Sequence, residues 1–426
     1  MKLSKGILLI GLSVAIIMVS LLASPRLMQQ WKSDDCMKTI RIYGPFQFDF
    51  NCDSNLYLIL ANNPTLLLKD KLYIAGQGRP LYPVIGWMLS TPFKLFQFAP
   101  VAKYLSGLDK RWSIGFFPEL MAFIFLNWLL MIASIAIFLR LIESDAVVFR
   151  VWAVLPVTIL LVNGITKYTF WTPHLQIFNI FMPVVSIYLF YRVMEEQESL
   201  TRRQIVFIGI MIGLGSLIYG AFGVTAIGAI ICILWGKERG TFKGDILQRL
   251  RKCFLMGASF LMPVISWYIF LRVITGTVYN HEIVKYRQFI WLKDSFLNGA
   301  PVFISDVSVN IAAYLNTLLS VVAFPCLVLA AVIFLTRKLN AGKPKALCGD
   351  ERWQAIVIYI VSNLSFYGLM GFYETRLSWT IVPAILVILG MAIRQLDGLL
   401  IGTSRSVFHL FLTGTSSFYL AYWFLR

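Results

Sequence analysis

Stretches of about 16 to 25 residues with few or no charges recur along this chain, each the length an α-helix needs to cross a hydrocarbon layer about 30 Å thick. That recurrence limits the fold more than any other feature. A soluble chain of 426 residues could bury two ordinary cores, yet it would not carry so many long runs without a charge. In a bilayer each backbone N–H and C=O must be satisfied within the protein, so continuous runs of this length become helices. The composition agrees, with hydrophobic residues at 58% and charged ones at 14%. The expectation is an all-α polytopic membrane protein, a single domain of about eleven spans. The first ones are residues 6–23, 116–139, 147–162 and 174–191. Residues 205–235 form an uncharged run of 31, too long for one crossing at about 1.5 Å per residue, so two short crossings turning near residues 219–223 are expected. Residues 253–271, 311–335, 355–372, 377–393 and 407–425 complete the set.

The formal charge of +17 would suit a nucleic-acid surface if it were concentrated on one face. Instead the basic residues gather at the N-terminus and in alternate short loops, around Arg140 and Arg150, Arg202 and Arg203, Lys237 to Lys252, Arg337 to Arg352, and Arg394 and Arg405. This is the positive-inside pattern, which sets orientation and leaves no call for nucleic acid. It places the N-terminus in the cytoplasm and the C-terminus outside. The first apolar run is longer than the core of a cleaved leader, so it is read as a retained helix. Two large external regions follow, residues 25–115 and 272–310. Within the first, residues 56–68 predict an amphipathic helix, and the proline-broken segment 80–98 predicts a juxtamembrane helix in the interface.

No phosphate-cradling glycine loop is present, and no cytoplasmic segment is long enough for a nucleotide-binding domain. His281-Glu282 is not a metalloprotease motif, because Lys285 stands where its second histidine belongs. Cys36 and Cys52 share the first external region and could close a disulfide there in an oxidising compartment. The Asn-x-Ser sequence at Asn363 falls inside an expected span, so no external loop offers a glycan acceptor and a bacterial inner membrane with a periplasmic site is favoured.

Ionisable residues on the external side ask for a reason, since charges near the membrane face are costly unless they pair or meet water. The set is Asp49, Asp53, Arg79, Lys167, His174, Glu374 and Arg376, with Tyr57 four residues after Asp53. One reading is an interfacial belt of charges and aromatic rings. The other is a transfer site, in which a carboxylate takes a proton from an acceptor hydroxyl and cationic side chains stabilise a departing phosphate.

The pattern Asp53-x-x-x-Tyr57-x-x-x-Ala61, followed by Arg79-Pro80 and an apolar segment leading into a span, resembles the first external loop of the GT-C superfamily. These membrane glycosyltransferases use polyprenyl-phosphate sugars, and the pattern is nearest to the aminoarabinose and protein O-mannosyl type. The resemblance implies Asp53 as catalytic base and Arg79 beside the donor phosphate, with Arg376 in a comparable late external turn. Tyr57, Lys167, His174 and Glu374 complete the candidate substrate-binding set. Where that family often has a second acid directly after the first, this chain has Ser54, and Asp49 is the nearest substitute, one turn upstream if the segment is helical. A divalent metal is therefore left open. The donor would be a polyprenyl-phosphate sugar and the acceptor a lipid, a glycan or a protein. Two other classes compete: a lipid-linked glycan polymerase or ligase, and a transporter or flippase of lipid-linked substrates. A polymerase usually places its large external loop late, and a transporter should show charges in mid-span and paired halves.

Overall fold

The structure is a computed structural model that describes residues 38–43, 46–50, 52–69, 71–95, 116–143, 150–196, 200–235, 246–339 and 351–425. The expected first span and Cys36 lie outside the described residues. Among the described residues, six helical segments are long and apolar enough to cross a membrane. They are Phe117–Glu143, Leu175–Glu195, Ile246–Thr275, Ala300–Leu339, Glu351–Met370 and Thr375–Leu399. Two shorter apolar segments, Val151–Leu161 and Phe222–Trp235, accompany them. The chain is a helical membrane protein, and one feature departs from an all-α reading. Strands β1 (Lys38–Tyr43) and β2 (Phe46–Phe50) form an antiparallel hairpin in which Thr39 faces Asp49.

The chain folds into two compact units that interleave in sequence. The first comprises Met1–Gly76, Pro80–Phe181 and Ile393–Arg426. Its hairpin leads into α1 (Cys52–Asn62), with Asp53 in the first turn. Asp49 thus sits on a strand and not one helical turn before Asp53. Cys52 is disulfide-bonded. The helix expected over 56–68 starts earlier and breaks at Asn63-Pro64, where the Asn63 carboxamide oxygen accepts from the Thr65 N–H at 3.3 Å and its hydroxyl at 2.7 Å. A short α2 (Leu66–Lys69) and a 3-10 segment (Lys71–Gly78) follow. The expected interfacial segment is α3 (Leu81–Leu95), which tolerates Pro83 because that residue lies in the first turn. It packs on α4 (Phe117–Glu143) where Gly86 admits the Phe123 ring; a Cβ there would come within 2.4 Å of it. Lys94 of α3 reaches the fully buried Glu119 of α4 at 2.9 Å.

The expected span over 147–162 is a short piece, α5 (Val154–Leu161) with a preceding 3-10 turn, and the chain turns into α6 (Gly164–Thr169) at Asn163. At about 1.5 Å per residue this is only half of a membrane's thickness. At the other end of the unit, α17 (Thr403–Leu425) is held by Asp397, which accepts from Arg405 at 2.9 and 2.5 Å and pairs with His409 at 2.7 Å.

The second unit, Gln77–Arg79 and Met182–Ala392, begins with most of α7 (Phe178–Glu195). Next come α8 (Arg202–Ile218) and α9 (Phe222–Trp235), joined by a turn at the expected place, Tyr219 to Ala221. α8 opens with a capping box, Thr201 and Gln204 each satisfying the other's backbone N–H. It then packs along α10 (Ile246–Thr275) through Gly209 and Gly213, four residues apart on one face. A Cβ at Gly213 would stand 2.3 Å from the Phe260 carbonyl oxygen, so the two backbones touch as small residues allow in membranes.

Short helices α11 (His281–Tyr286) and α12 (Ile290–Leu297) lead to α13 (Ala300–Leu339). The expected loop over 272–310 is therefore largely helical, and the span begins eleven residues before position 311. Its polar residues do not end the helix, because Ser308 and Asn310 return their side chains to carbonyls one turn back, at 2.7 and 2.9 Å. Only 17% of the most apolar window of α13 is buried against protein, compared with 83% for the segment Thr375–Leu399. The outward apolar face of α13 is what a helix shows to lipid.

α14 (Glu351–Met370) ends at Gly371, whose φ of +79° favours glycine. Its last carbonyls are met from outside the helix, Gly368 by the Tyr373 hydroxyl, Leu369 by the Trp291 indole and Met370 by the Phe289 N–H. Then come α15 (Thr375–Ser378) and α16 (Val382–Leu399). The close seam between α8 and α10 gives a direct test. Gly213→Ala should cost about 1–3 kcal/mol by overpacking. Gly257→Ala, whose Cβ would meet only Ile230 at 4.0 Å, should be neutral or stabilising by up to about 1 kcal/mol. Thermal unfolding of the purified protein in detergent reads both.

Candidate functional site

Of the residues expected to form a site, Asp53, Tyr57, Lys167 and His174 belong to the first unit, and Arg79, Glu374 and Arg376 to the second. Asp53 stands in the first turn of α1, where the helix dipole favours an acid, and its side chain is 56% exposed. The rest of α1 turns Ser54, Tyr57, Leu58, Leu60 and Ala61 inward. That spacing is the buried face of a helix, and it leaves Asp53 at its open edge. Position 54 is only 1% exposed, so an acid there would be buried, which explains why serine can stand where a second carboxylate was looked for.

His174 comes from a distant stretch. It is buried, and it caps the 3-10 turn Leu175–Ile177 by accepting the Gln176 N–H on Nδ1 at 3.2 Å. A ring nitrogen that accepts carries no proton, so the hydrogen of the neutral imidazole is on Nε2. That atom faces Asp53 Oδ2 at 3.8 Å. The gap is wider than a hydrogen bond, and a shift of under about 1 Å closes it. Structure thus joins two residues that stand 121 positions apart in the sequence.

The turn that carries His174 is packed inside the protein. Nearly all of residues 163–177 are buried, and such a segment needs partners for its backbone. Asn163 supplies some, accepting the Thr166 N–H at 3.1 Å and donating to the Leu160 carbonyl at 2.9 Å. Asn127 of α4 supplies more. Its amide nitrogen lies 3.3, 2.9 and 3.2 Å from the carbonyl oxygens of Thr169, Phe170 and Thr172. Gln176 is held in turn by Asn179 at 2.6 Å. Asn127 was missed in the sequence, although a lone amide within a long apolar helix is the kind of residue that marks an internal contact.

The other members of the set have different surroundings. Tyr57 is a packing residue, 4% exposed and edge-on to Tyr82 at 4.8 Å, with Tyr82 against Phe123 at 4.7 Å. Lys167 is buried and donates to the Trp423 carbonyl of α17 at 2.8 Å, a helix C-terminus that favours a cation. In the second unit Glu374 and Arg376 form an ion pair with each other, and Arg79 is half-buried in the segment whose Gln77 carbonyl accepts the Trp267 indole N–H at 2.8 Å. Side-chain contacts of Asp49 fall outside the described residues. No group of three or more His, Cys, Asp or Glu side chains that could hold a metal ion occurs among the described residues. A groove of about 470 Å³ runs along α13 between Phe303 and Leu315, but it holds no titratable side chain and so offers no chemistry.

Fold and site together define a helical membrane protein with a carboxylate and an imidazole facing each other at the mouth of one helix. No family model, curated protein or solved structure matches the chain. The anchoring of the His174 segment predicts that Asn127→Leu, which takes a buried amide donor away from the carbonyls of Thr169, Phe170 and Thr172, lowers stability by about 1–3 kcal/mol. It should also speed amide hydrogen exchange in residues 169–177, read by mass spectrometry, while leaving α8 and α10 unchanged. Unaltered exchange in that segment would show that Asn127 does not hold it.

Proposed function

We propose that this chain is an integral-membrane glycosyltransferase of the GT-C kind, moving a sugar from a polyprenyl-phosphate donor to an acceptor hydroxyl. The observation that carries the reading is the exposed Asp53 carboxylate with the Nε2–H of His174 turned towards it across 3.8 Å. One carboxylate oxygen receives the imidazole proton's hydrogen bond, and the other stays open to an acceptor. Apo sites often hold such contacts long and tighten them when substrate binds. Asp53 then removes the acceptor proton as the hydroxyl oxygen attacks the sugar's anomeric carbon. The bond from that carbon to the phosphate oxygen breaks, and the polyprenyl phosphate leaves with the electron pair. His174 orients the base. The donor-phosphate role falls to Arg79 and Arg376 by resemblance alone.

In this reading the chain has about eleven spans with a cytoplasmic N-terminus, following the distribution of basic loops, and the site opens to the periplasm of a bacterial inner membrane. The test is transfer of radiolabelled sugar from polyprenyl phosphate by the purified full-length protein. Asp53→Asn should lose about 10²–10⁴-fold in rate, the usual contribution of a general base, and remain folded. Asp49→Asn, on the strand, should keep most of the activity. Full activity in Asp53→Asn would overturn the assignment.

A further inference from the structure

Between α10 and α13 the chain of the second unit passes over the end of α14, and this stretch carries strained backbone. Among the described residues two other than glycine have a positive φ, Arg287 at 51° and Phe289 at 60°. A bulky side chain seldom adopts that region, and residues held there persist only where their surroundings fix them. The contacts that do so run to α14 and the turn after it. The Phe289 N–H donates to the Met370 carbonyl at 3.1 Å, and the Phe289 ring meets Phe366 with centroids 5.2 Å apart. The Tyr286 ring lies on Phe372 at 4.4 Å. Tyr286 ends α11, and Phe372 stands two residues before Glu374.

The rest of α11 buries little. Ile283, Val284 and Lys285 are exposed, and segments with few buried contacts are the ones that open locally. Before α11 the chain leaves α10 at Gly276, where φ is +71° and no atom lies within 4 Å of the place a Cβ would take, so this point is free to turn. After the strained residues the chain is fixed again, because α12 stays on α13 through the Ser295 hydroxyl, which donates to Asp306, and through Phe296, edge-on to Phe303 at 6.2 Å. A glycine pivot, an aromatic latch and a strained turn thus follow one another along a thinly packed segment, which is how a hinged element is built. We propose that residues 277–289 form a strap that closes over the turn carrying Glu374 and Arg376 and opens when Tyr286 leaves Phe372. Opening lets Arg287 and Phe289 return to ordinary φ, so the strain opposes the latch and keeps the closed strap releasable. That the open strap admits a lipid-linked phosphate to Arg376 rests on the function proposed above, whereas the swing does not.

Amide hydrogen exchange of the full-length protein in lipid nanodiscs, read by mass spectrometry, tests the swing, and modification of Arg376 by phenylglyoxal tests the cover. Tyr286→Ala removes the latch and should speed exchange across residues 277–289 as one block by about 5-fold, the worth of one aromatic pair, with α10 and α13 unchanged. Arg287→Asn places there a residue that accepts left-handed backbone more readily, and it should slow the same block by about 3-fold. Phenylglyoxal should modify Arg376 faster in the first variant and slower in the second, with Arg150 of the first unit as the constant reference. Neither readout depends on sugar transfer, so failure of that activity leaves the test intact. Exchange that rises only beside position 286, or that moves the same way in both variants, overturns the strap. Modification of Arg376 at one rate in all three proteins overturns its role as a cover.

Discussion

A peptide segment that is buried without the ladder of a helix or sheet survives only if something else meets its carbonyls. In this protein that role falls to Asn127, whose amide gathers the main chain of Thr169, Phe170 and Thr172 against α4. From this contact the placement of the site follows. The segment is fixed, so His174 is fixed, and the Gln176 N–H on Nδ1 leaves the Nε2 proton facing Asp53. Asp53 itself needs little support, because the inward face of α1 is pinned by Tyr57 on Tyr82 and the acid remains on the free edge. A rigid imidazole beside an accessible carboxylate suits a base that must be aimed.

Around that site the bilayer acts as solvent. Helices that pack only partly on protein, such as α13, turn apolar side chains outward, and those that pack closely use glycine where backbones must approach. Among the described residues the buried carboxylates are ion-paired. Glu119 takes Lys94, and Asp397 holds Arg405 and His409 while it fixes the last helix. That last helix receives Lys167 at its C-terminus, so a cation expected to wait for a phosphate instead fastens the His174 segment to α17. A buried ammonium on a helix end is the less costly arrangement at this depth.

Long apolar helices were legible in the sequence because their signal is length, and so was the turn after Tyr219, because 31 uncharged residues cannot cross once. Asp53 and His174 were both singled out in the sequence as candidate ionisable residues. Their juxtaposition was not, since contact across 121 positions is set by tertiary packing that no local pattern encodes. The hairpin before α1 was missed because a short strand pair next to a helix gives almost no periodic signal. The start of α13 at Ala300 was missed for another reason: Asp306, Ser308 and Asn310 read as loop by composition, yet within a helix they find partners one turn away or, for Asp306, in Ser295. Tyr57 matched a motif position and proved to be core, as aromatic residues on an inward helix face usually are.

The central claim is that His174 acts through Asp53, and a double-mutant cycle on sugar transfer tests it most directly. Rates would be compared for the unaltered protein, Asp53→Asn, His174→Gln and the two together. If the imidazole serves only to aim the carboxylate, the double variant is no slower than Asp53→Asn alone, because its partner is already gone. Losses that multiply, each variant slowing transfer by its full factor in the presence of the other, would mean that the two side chains work independently and would contradict the account.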